Sequence, residues 1–307
     1  MSAPSTWGAT YWKEFQRCET LHYFQYAKGF ELPGQAPEDE AALACGIEFH
    51  NWMERRLLGE SVNAGDLPFV KWKEDPIGAG RWLFDLYQGY YGPIVRREDE
   101  RLTEPSQPVD STESKHCRNL QIIGVEATLT IEPPALGLLL PVSAKYDTIV
   151  RMLNRDGAPI AAMEHKTADK GYSFQKYQMD TQVGLQTLIW NHLNSTADKM
   201  VGVILDEANK SKDPAYRFRR ELLTRTDDEL YYLTRRLIKW QETKLAQDYE
   251  AAELEAAGRD PIEAYPQRTT QCFQFGKPCK YLPLCKFGPR AAAMYEQRKE
   301  LVPNDEF

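Results

Sequence analysis

Apolar residues recur at helical spacing through most of the first hundred positions and then change to alternation. Residues 10–30 (TYWKEFQRCETLHYFQYAKGF), 38–59 (EDEAALACGIEFHNWMERRLLG) and 81–98 (RWLFDLYQGYYGPIVRRE) read as three helices, the second stopped by Gly59. The polar stretch 104–119 (EPSQPVDSTESKHCRN), punctuated by Ser, Thr and Pro, reads as an exposed loop. Beyond it Ile123, Val125, Ala127, Leu129 and Ile131 alternate with less apolar residues, the period of a half-buried strand. Two more strands, 138–153 and 159–167, flank an Asp156-Gly157 turn signal and predict a hairpin. Helical spacing returns over 172–193, two further strands follow at 199–207 and 216–223, and a long helix over 227–258 ends at Gly258.

This order predicts an α/β fold, a mixed central sheet flanked by helices. We read one domain over 1–307, with a helical N-terminal part (1–100), a sheet core (119–225), and a long helix with a cysteine-bearing segment (226–307). No internal repeat is visible.

The hairpin carries candidate chemistry. If Asp156 and Gly157 are the central pair of the turn, Asp147 lies directly across from Lys166, and Glu164, two residues earlier, shares their face. Cross-strand neighbours stand roughly 5 Å apart at Cβ and diagonals about 7 to 8 Å. Two carboxylates at that separation repel unless a cation lies between them, and a hard divalent ion with oxygen ligands is the economical answer. A lysine beside it can orient water, stabilise charge on a phosphate or, with a lowered pKa, help deprotonate a nucleophile. The same trio also fits a surface charge ladder on a half-exposed sheet.

Charge and composition narrow the partners. Acidic residues number 45 against 38 basic, for a net charge of −7, which excludes a protein that coats nucleic acid through an overall positive field. Locally, Arg268, Lys277, Lys280, Lys286 and Arg290 alternate with Phe273, Phe275, Tyr281 and Phe287 without an acidic residue, and KSKDPAYRFRR at 210–220 is similar. Such composition suits either a groove for a nucleic-acid strand or a solvated face. No apolar run is long enough to span a bilayer, and the start lacks the basic and apolar regions of a secretory signal. The expectation is therefore a soluble cytoplasmic protein, with no membrane among its partners.

Three of the six cysteines fall in CFQFGKPCKYLPLC, residues 272–285. In a reducing compartment such a group favours metal or cluster ligation over disulfides. Cys18, Cys45 and Cys117 compete for the role of fourth ligand; Cys45 lies in an apolar helical stretch and Cys117 in the polar loop. Four thiolates suit zinc or an iron-sulfur cluster. Zinc ligands generally come in close pairs, so one distant cysteine favours the cluster.

AKYDTIV followed by MEHKT resembles the Asp and Glu-X-Lys signature of the PD-(D/E)XK nuclease superfamily, in the RecB-like branch that includes CRISPR-adaptation nucleases and many phage exonucleases. GIEFHNWME resembles the branch's upstream helical motif, which implies His50 as a metal ligand and manganese as a metal at least as good as magnesium. QMDTQVGLQTL resembles its Gln-X-X-X-Tyr helix with Gln182 as the glutamine; Gln186 stands where tyrosine is expected, and Ala144 where glycine is common. The cysteine segment resembles the C-terminal triplet of the iron-sulfur members, which implies Cys18, Cys272, Cys279 and Cys285 as ligands of a structural [4Fe-4S] cluster.

The resemblance thus implies a restriction-endonuclease-like core and a DNA exonuclease acting on single-stranded ends. Asp147, Glu164, His50 and the main-chain carbonyl of His165 would hold Mn²⁺ or Mg²⁺, with Lys166 and Gln182 also in the catalytic set. Glu126, on the strand before the hairpin, is a further candidate at the metal or DNA end, or a solvated mid-strand glutamate. The setting would be recombination, repair or phage DNA metabolism, with a helicase or recombination protein as partner, since the chain carries no P-loop. A catalytically silent DNA-binding scaffold and a thiol-based redox or iron sensor are the alternatives.

Overall fold

The computed structural model describes residues 7–31, 37–58, 60, 69, 71–91, 120–153, 155–168, 177–178, 180–194, 196–210, 218–274 and 277–297. Cys117 with its polar stretch, Phe275 and most of the basic stretch 210–220 lie outside them. In chain order the elements are α1 (Ala9–Arg17), α2 (Glu19–His22), β1 (Phe30–Glu31), α3 (Pro37–Leu57) and α4 (Pro76–Tyr91), then β2 (Leu120–Ile131), β3 (Val142–Met152) and β4 (Ile160–Ala168). They continue with α5 (Thr181–Leu193), β5 (Met200–Asn209), β6 (Phe218–Thr224), α6 (Asp227–Ala256), β7 (Phe273–Gln274), β8 (Lys277–Pro278), α7 (Leu282–Phe287) and β9 (Glu296–Gln297). Two compact units result: Ala36–Leu129 with Ala144–Leu230, and Met1–Gln35 with Thr130–Ser143 and Tyr231–Phe307.

The first of these holds most of a five-stranded mixed sheet in the order β2-β3-β4-β5-β6. β3 and β4 are antiparallel, β4 and β5 parallel through the crossover helix α5, and β5 and β6 antiparallel. β4 and β5 open on near-continuous apolar runs, as strands covered on both faces must. On one face Phe49, Met53 and Leu57 of α3 and Trp82, Leu83, Phe84 and Tyr87 of α4 pack with Ala208 and Phe218. Truncating a fully buried ring such as Phe49 to Ala would cost about 3 to 5 kcal/mol. The approach of α3 to α4 depends on Gly80, where a Cβ would stand 2.7 Å from the Cys45 carbonyl oxygen. Cys45 is consequently wholly buried, and burial pushes its thiol up to about 11.

Several expectations change in detail. The hairpin pairs Thr148 with Met163, not with His165, so the register is displaced by two residues and Asp147 does not face Lys166. The Asp156-Gly157 turn is present, with the Ala158 amide donating to the Arg155 carbonyl at 2.9 Å, but the next cross-strand bond joins Met152 to Pro159. The connection is therefore asymmetric, longer on the β3 side. A two-residue displacement leaves each side chain on its predicted face. In β2, Glu126 has a left-handed φ of 49°, and the alternation breaks there: Ile122 and Val125 pack inward while Ile123 is exposed. α5 begins at Thr181; residues 172–176 and 179 of the predicted helix lie outside the described residues. Asp180 caps it, accepting from the Gln182 amide at 2.7 Å.

In the second unit the first predicted helix is broken. Cys18 adopts extended backbone (φ −164°) between α1 and α2, and a π-helical turn, Tyr23–Ala27, follows. Cys18, Leu21, Tyr23 and Phe24 pack with Tyr265, Tyr281, Leu284 and Tyr295, with Cys279 and Cys285 against them. Buried polar groups are tied across the sequence: Thr20 donates to the Tyr265 carbonyl (2.7 Å) and Tyr281 to that of Phe30 (2.6 Å). These bonds join the segments around Cys18 and the cysteine triplet within one unit.

Candidate active site

Asp147 on β3 and Glu164 and Lys166 on β4 share one site with His50 of α3 and Gln182 and Gln186 of α5. Glu164 is the centre of the hydrogen bonding. Lys166 forms an ion pair with its Oε1, Gln182 Nε2 donates to the same oxygen at 2.6 Å, and Gln186 Nε2 donates to Oε2 at 3.1 Å. Gln186 also donates to the Lys145 carbonyl at 2.8 Å, and Tyr146 returns a bond to the Gln186 carbonyl at 2.7 Å. Gln186 is wholly buried and braces the site from inside. The glutamine pair thus holds Glu164 from two sides.

The two carboxylates divide the charge. Burial works to raise Glu164, but Lys166 and the two amides outweigh it and hold its carboxyl below the ordinary value. Asp147 is pushed up to about 7 by burial and by the charge on Glu164. Its Oδ2 accepts from the His165 amide at 3.0 Å and stands 3.8 Å from His50 Nδ1. Burial, with His165 and Lys166 nearby, lowers His50 to about 4, so near neutrality it presents an imidazole lone pair. Burial works to lower Lys166, but Glu164 and Asp147 prevail and raise it. As placed, Lys166 is held as an ammonium, suited to charge stabilisation.

His165 points to the opposite face from Glu164, where sequence reading found nothing. The pairing of β4 with β5 and β5 with β6 sets His165, Asp206 and Arg220 in one row. His165 Nδ1 lies 2.8 Å from Asp206 Oδ2, Arg220 Nε donates to Asp206 Oδ1 at 3.0 Å, and Tyr87 Oη also binds Asp206. Although burial opposes it, Arg220 and His165 hold Asp206 down to about 2. Arg220 also lies over the Tyr91 ring, 3.6 Å from its centroid. This row anchors the backbone that carries Glu164, His165 and Lys166. Asp206 alone was a visible signal, an acid closing an apolar strand.

Glu126 is placed beside the site through Lys145, its ion-pair partner at 2.5 Å; Lys145 also feels Asp147 and Glu54. Among the described residues no group of three or more His, Cys, Asp or Glu is arranged, as placed, to hold a metal ion. The donor types nevertheless fit one: two buried carboxylates, one of them short of positive charge, and a neutral imidazole. The buried Gln186 Oε1 also lacks a hydrogen-bond partner.

The cysteines occupy the other compact unit. β7 and β8 pair Phe273 with Pro278, and the Cys279 amide donates to the Cys272 carbonyl at 2.6 Å, which sets these two cysteines side by side. Cys285 sits on α7. Burial raises the Cys279 thiol and lifts that of Cys285 to about 12, and each is raised further by Cys18 and Cys272. All four are free thiols. Tyr281 is fully buried and belongs to the core, while Phe273 and Phe287 are exposed.

No family model and no curated protein matches the chain. Among solved structures, one titled "Putative exonuclease", from Eubacterium rectale, is similar with a TM-score of 0.39 and 10% identity over 78% of this chain and 82% of that one. Among the described residues no helix is long and apolar enough to cross a membrane.

Proposed function

We propose that this chain is a metal-dependent nuclease that hydrolyses DNA phosphodiester bonds, acting as an exonuclease on single-stranded ends. The observation that carries the proposal is the meeting of Asp147, Glu164, Lys166 and His50 around one point, with Glu164 ionised, Asp147 short of compensating charge and Lys166 held as an ammonium. Asp147, Glu164, His50 and the His165 carbonyl would hold Mn²⁺ or Mg²⁺. Such an ion would supply a water of lowered pKa and Lewis-acid polarisation of the phosphate. Lys166 would sit against a phosphoryl oxygen and stabilise the charge that builds during attack. Gln182 and Gln186 would keep Glu164 oriented, and the His165–Asp206–Arg220 row would keep β4 rigid behind it.

Cys18, Cys272, Cys279 and Cys285 would hold a structural [4Fe-4S] cluster. The bond from the Cys279 amide to the Cys272 carbonyl and the packing of Cys279 and Cys285 against the cluster of buried residues that includes Cys18 support this reading. Cleavage of end-labelled single-stranded DNA in manganese tests the activity, and iron and sulfide analysis after anaerobic purification tests the cluster.

One observation favours a second reading. Both Glu164 oxygens are already occupied by Lys166, Gln182 and Gln186, which suits a DNA-binding scaffold without hydrolysis, working beside a helicase or recombination protein. DNA binding without metal-stimulated cleavage would decide for it.

A further inference from the structure

Lys145 lies two residues before Asp147 on β3 with the buried Tyr146 between them, so both side chains leave the same face of the sheet, about 6.6 Å apart along the strand. The Lys145 side chain is 64% exposed, and its ammonium pairs with Glu126. Its main-chain carbonyl accepts from Gln186, the residue that also holds Glu164, so the backbone beneath the lysine is fixed to the site. Asp147 and Glu54 act on its charge as well.

Glu126 reaches Lys145 from β2, the neighbouring strand, and does so from a left-handed φ of 49°. A cross-strand ion pair that served the sheet alone would form on ordinary extended backbone and contribute little. Left-handed backbone at a residue other than glycine persists where the surroundings impose it, and such positions gather at functional sites. The pair does not exhaust the lysine: an ammonium carries three donors, and most of this side chain faces solvent. Asp147 and Glu164 would repel a phosphodiester strand, so a strand that reaches them needs cations on the same face. Lys166 is one, deep in the site and tied to Glu164; Lys145 is a second, at its rim.

We infer that Lys145 binds a backbone phosphate of a single nucleic-acid strand, the one next to the phosphate that Lys166 meets, with Glu126 holding the ammonium at the rim. The step from Asp147 to Lys145 is comparable to one nucleotide of a stretched strand. The inference rests on the reading of the Asp147 face as the one a strand enters. It does not require that the strand be cut.

The test measures binding of a fluorescent single-stranded oligonucleotide by the full-length protein, without divalent metal, over a series of salt concentrations. Losing one phosphate contact lowers the slope of log affinity against log salt by about 0.7, which is about fivefold in affinity at 0.1 M salt. Lys145→Gln should show that loss for every sequence, and Lys145→Arg should restore it. Strands carrying a single uncharged methylphosphonate linkage locate the contact: the linkage to which Lys145→Gln becomes indifferent should adjoin the one to which Lys166→Gln does. A lysine that serves only its ion pair with Glu126 would change the melting temperature and leave the slope as in wild type. That result, a wild-type protein that binds no strand, or two linkages that are not adjacent would overturn the assignment. A protein that binds strands in this way and never cuts them would contradict the hydrolytic reading and leave this one standing.

Discussion

Gln186 donates through one amide nitrogen to both the Glu164 carboxylate, at 3.1 Å, and the Lys145 main-chain carbonyl, at 2.8 Å. A single buried side chain on α5 thus fixes β3 and β4 together at the point where their carboxylates meet. Replacing it with Leu, which fills similar volume but donates nothing, removes a bond to a charged group worth about 1.5 to 3 kcal/mol. Denaturant unfolding should show a loss of that order. In the hydrolytic reading kcat should fall with little change in KM, because Glu164 is misplaced and no DNA contact is lost.

The row of His165, Asp206 and Arg220 predicts an asymmetry. Arg220→Leu leaves Asp206 buried without its cation and should destabilise by about 3 to 5 kcal/mol. The double variant Arg220→Leu with Asp206→Leu removes both charges and should recover part of that loss. Urea midpoints for the two proteins check the order.

His22 gives a pH dependence with a definite sign. Burial, reinforced by Lys244, lowers it to about 3 from the usual 6.5, so between those values the folded protein binds fewer protons than the unfolded chain. Its contribution to stability is complete above about pH 6.5 and declines as pH falls toward 3, by roughly 1.4 kcal/mol per pH unit. His22→Leu lacks this term. The stability of the variant relative to wild type should therefore rise steadily as the pH of a denaturation series is lowered from 6 to about 4.

For the cysteines, Cys18→Ala and Cys279→Ala should each lose iron and lower the melting temperature of anaerobically purified protein. Ligand binding to the folded state alone adds to its stability, and a ligand that joins distant segments restrains the unfolded chain. A colourless protein carrying stoichiometric zinc would replace the cluster by a mononuclear site.

Which of these features was legible in the sequence follows from how local each one is. Alternation placed Asp147, Glu164 and Lys166 on one face correctly even though the register was displaced, because a slip of two residues does not change parity. The displacement itself arose in an asymmetric connection between Met152 and Pro159 that the Asp156-Gly157 signal does not encode. The break at Cys18 and the left-handed backbone at Glu126 interrupt patterns that read as continuous, since each is imposed by packing and not by local propensity. The partnership of His165 with Asp206, Arg220 and Tyr87 spans four elements, and only the sheet register reveals it.

The most direct test of the central claim is cleavage of end-labelled single-stranded DNA by the purified protein in manganese, comparing wild type with Asp147→Ala and Lys166→Ala. Metal-dependent cleavage by wild type is expected, with a loss of at least about a hundredfold in each variant and both variants folded. Wild-type protein that binds DNA without cutting it, or activity that survives in both variants, would contradict it.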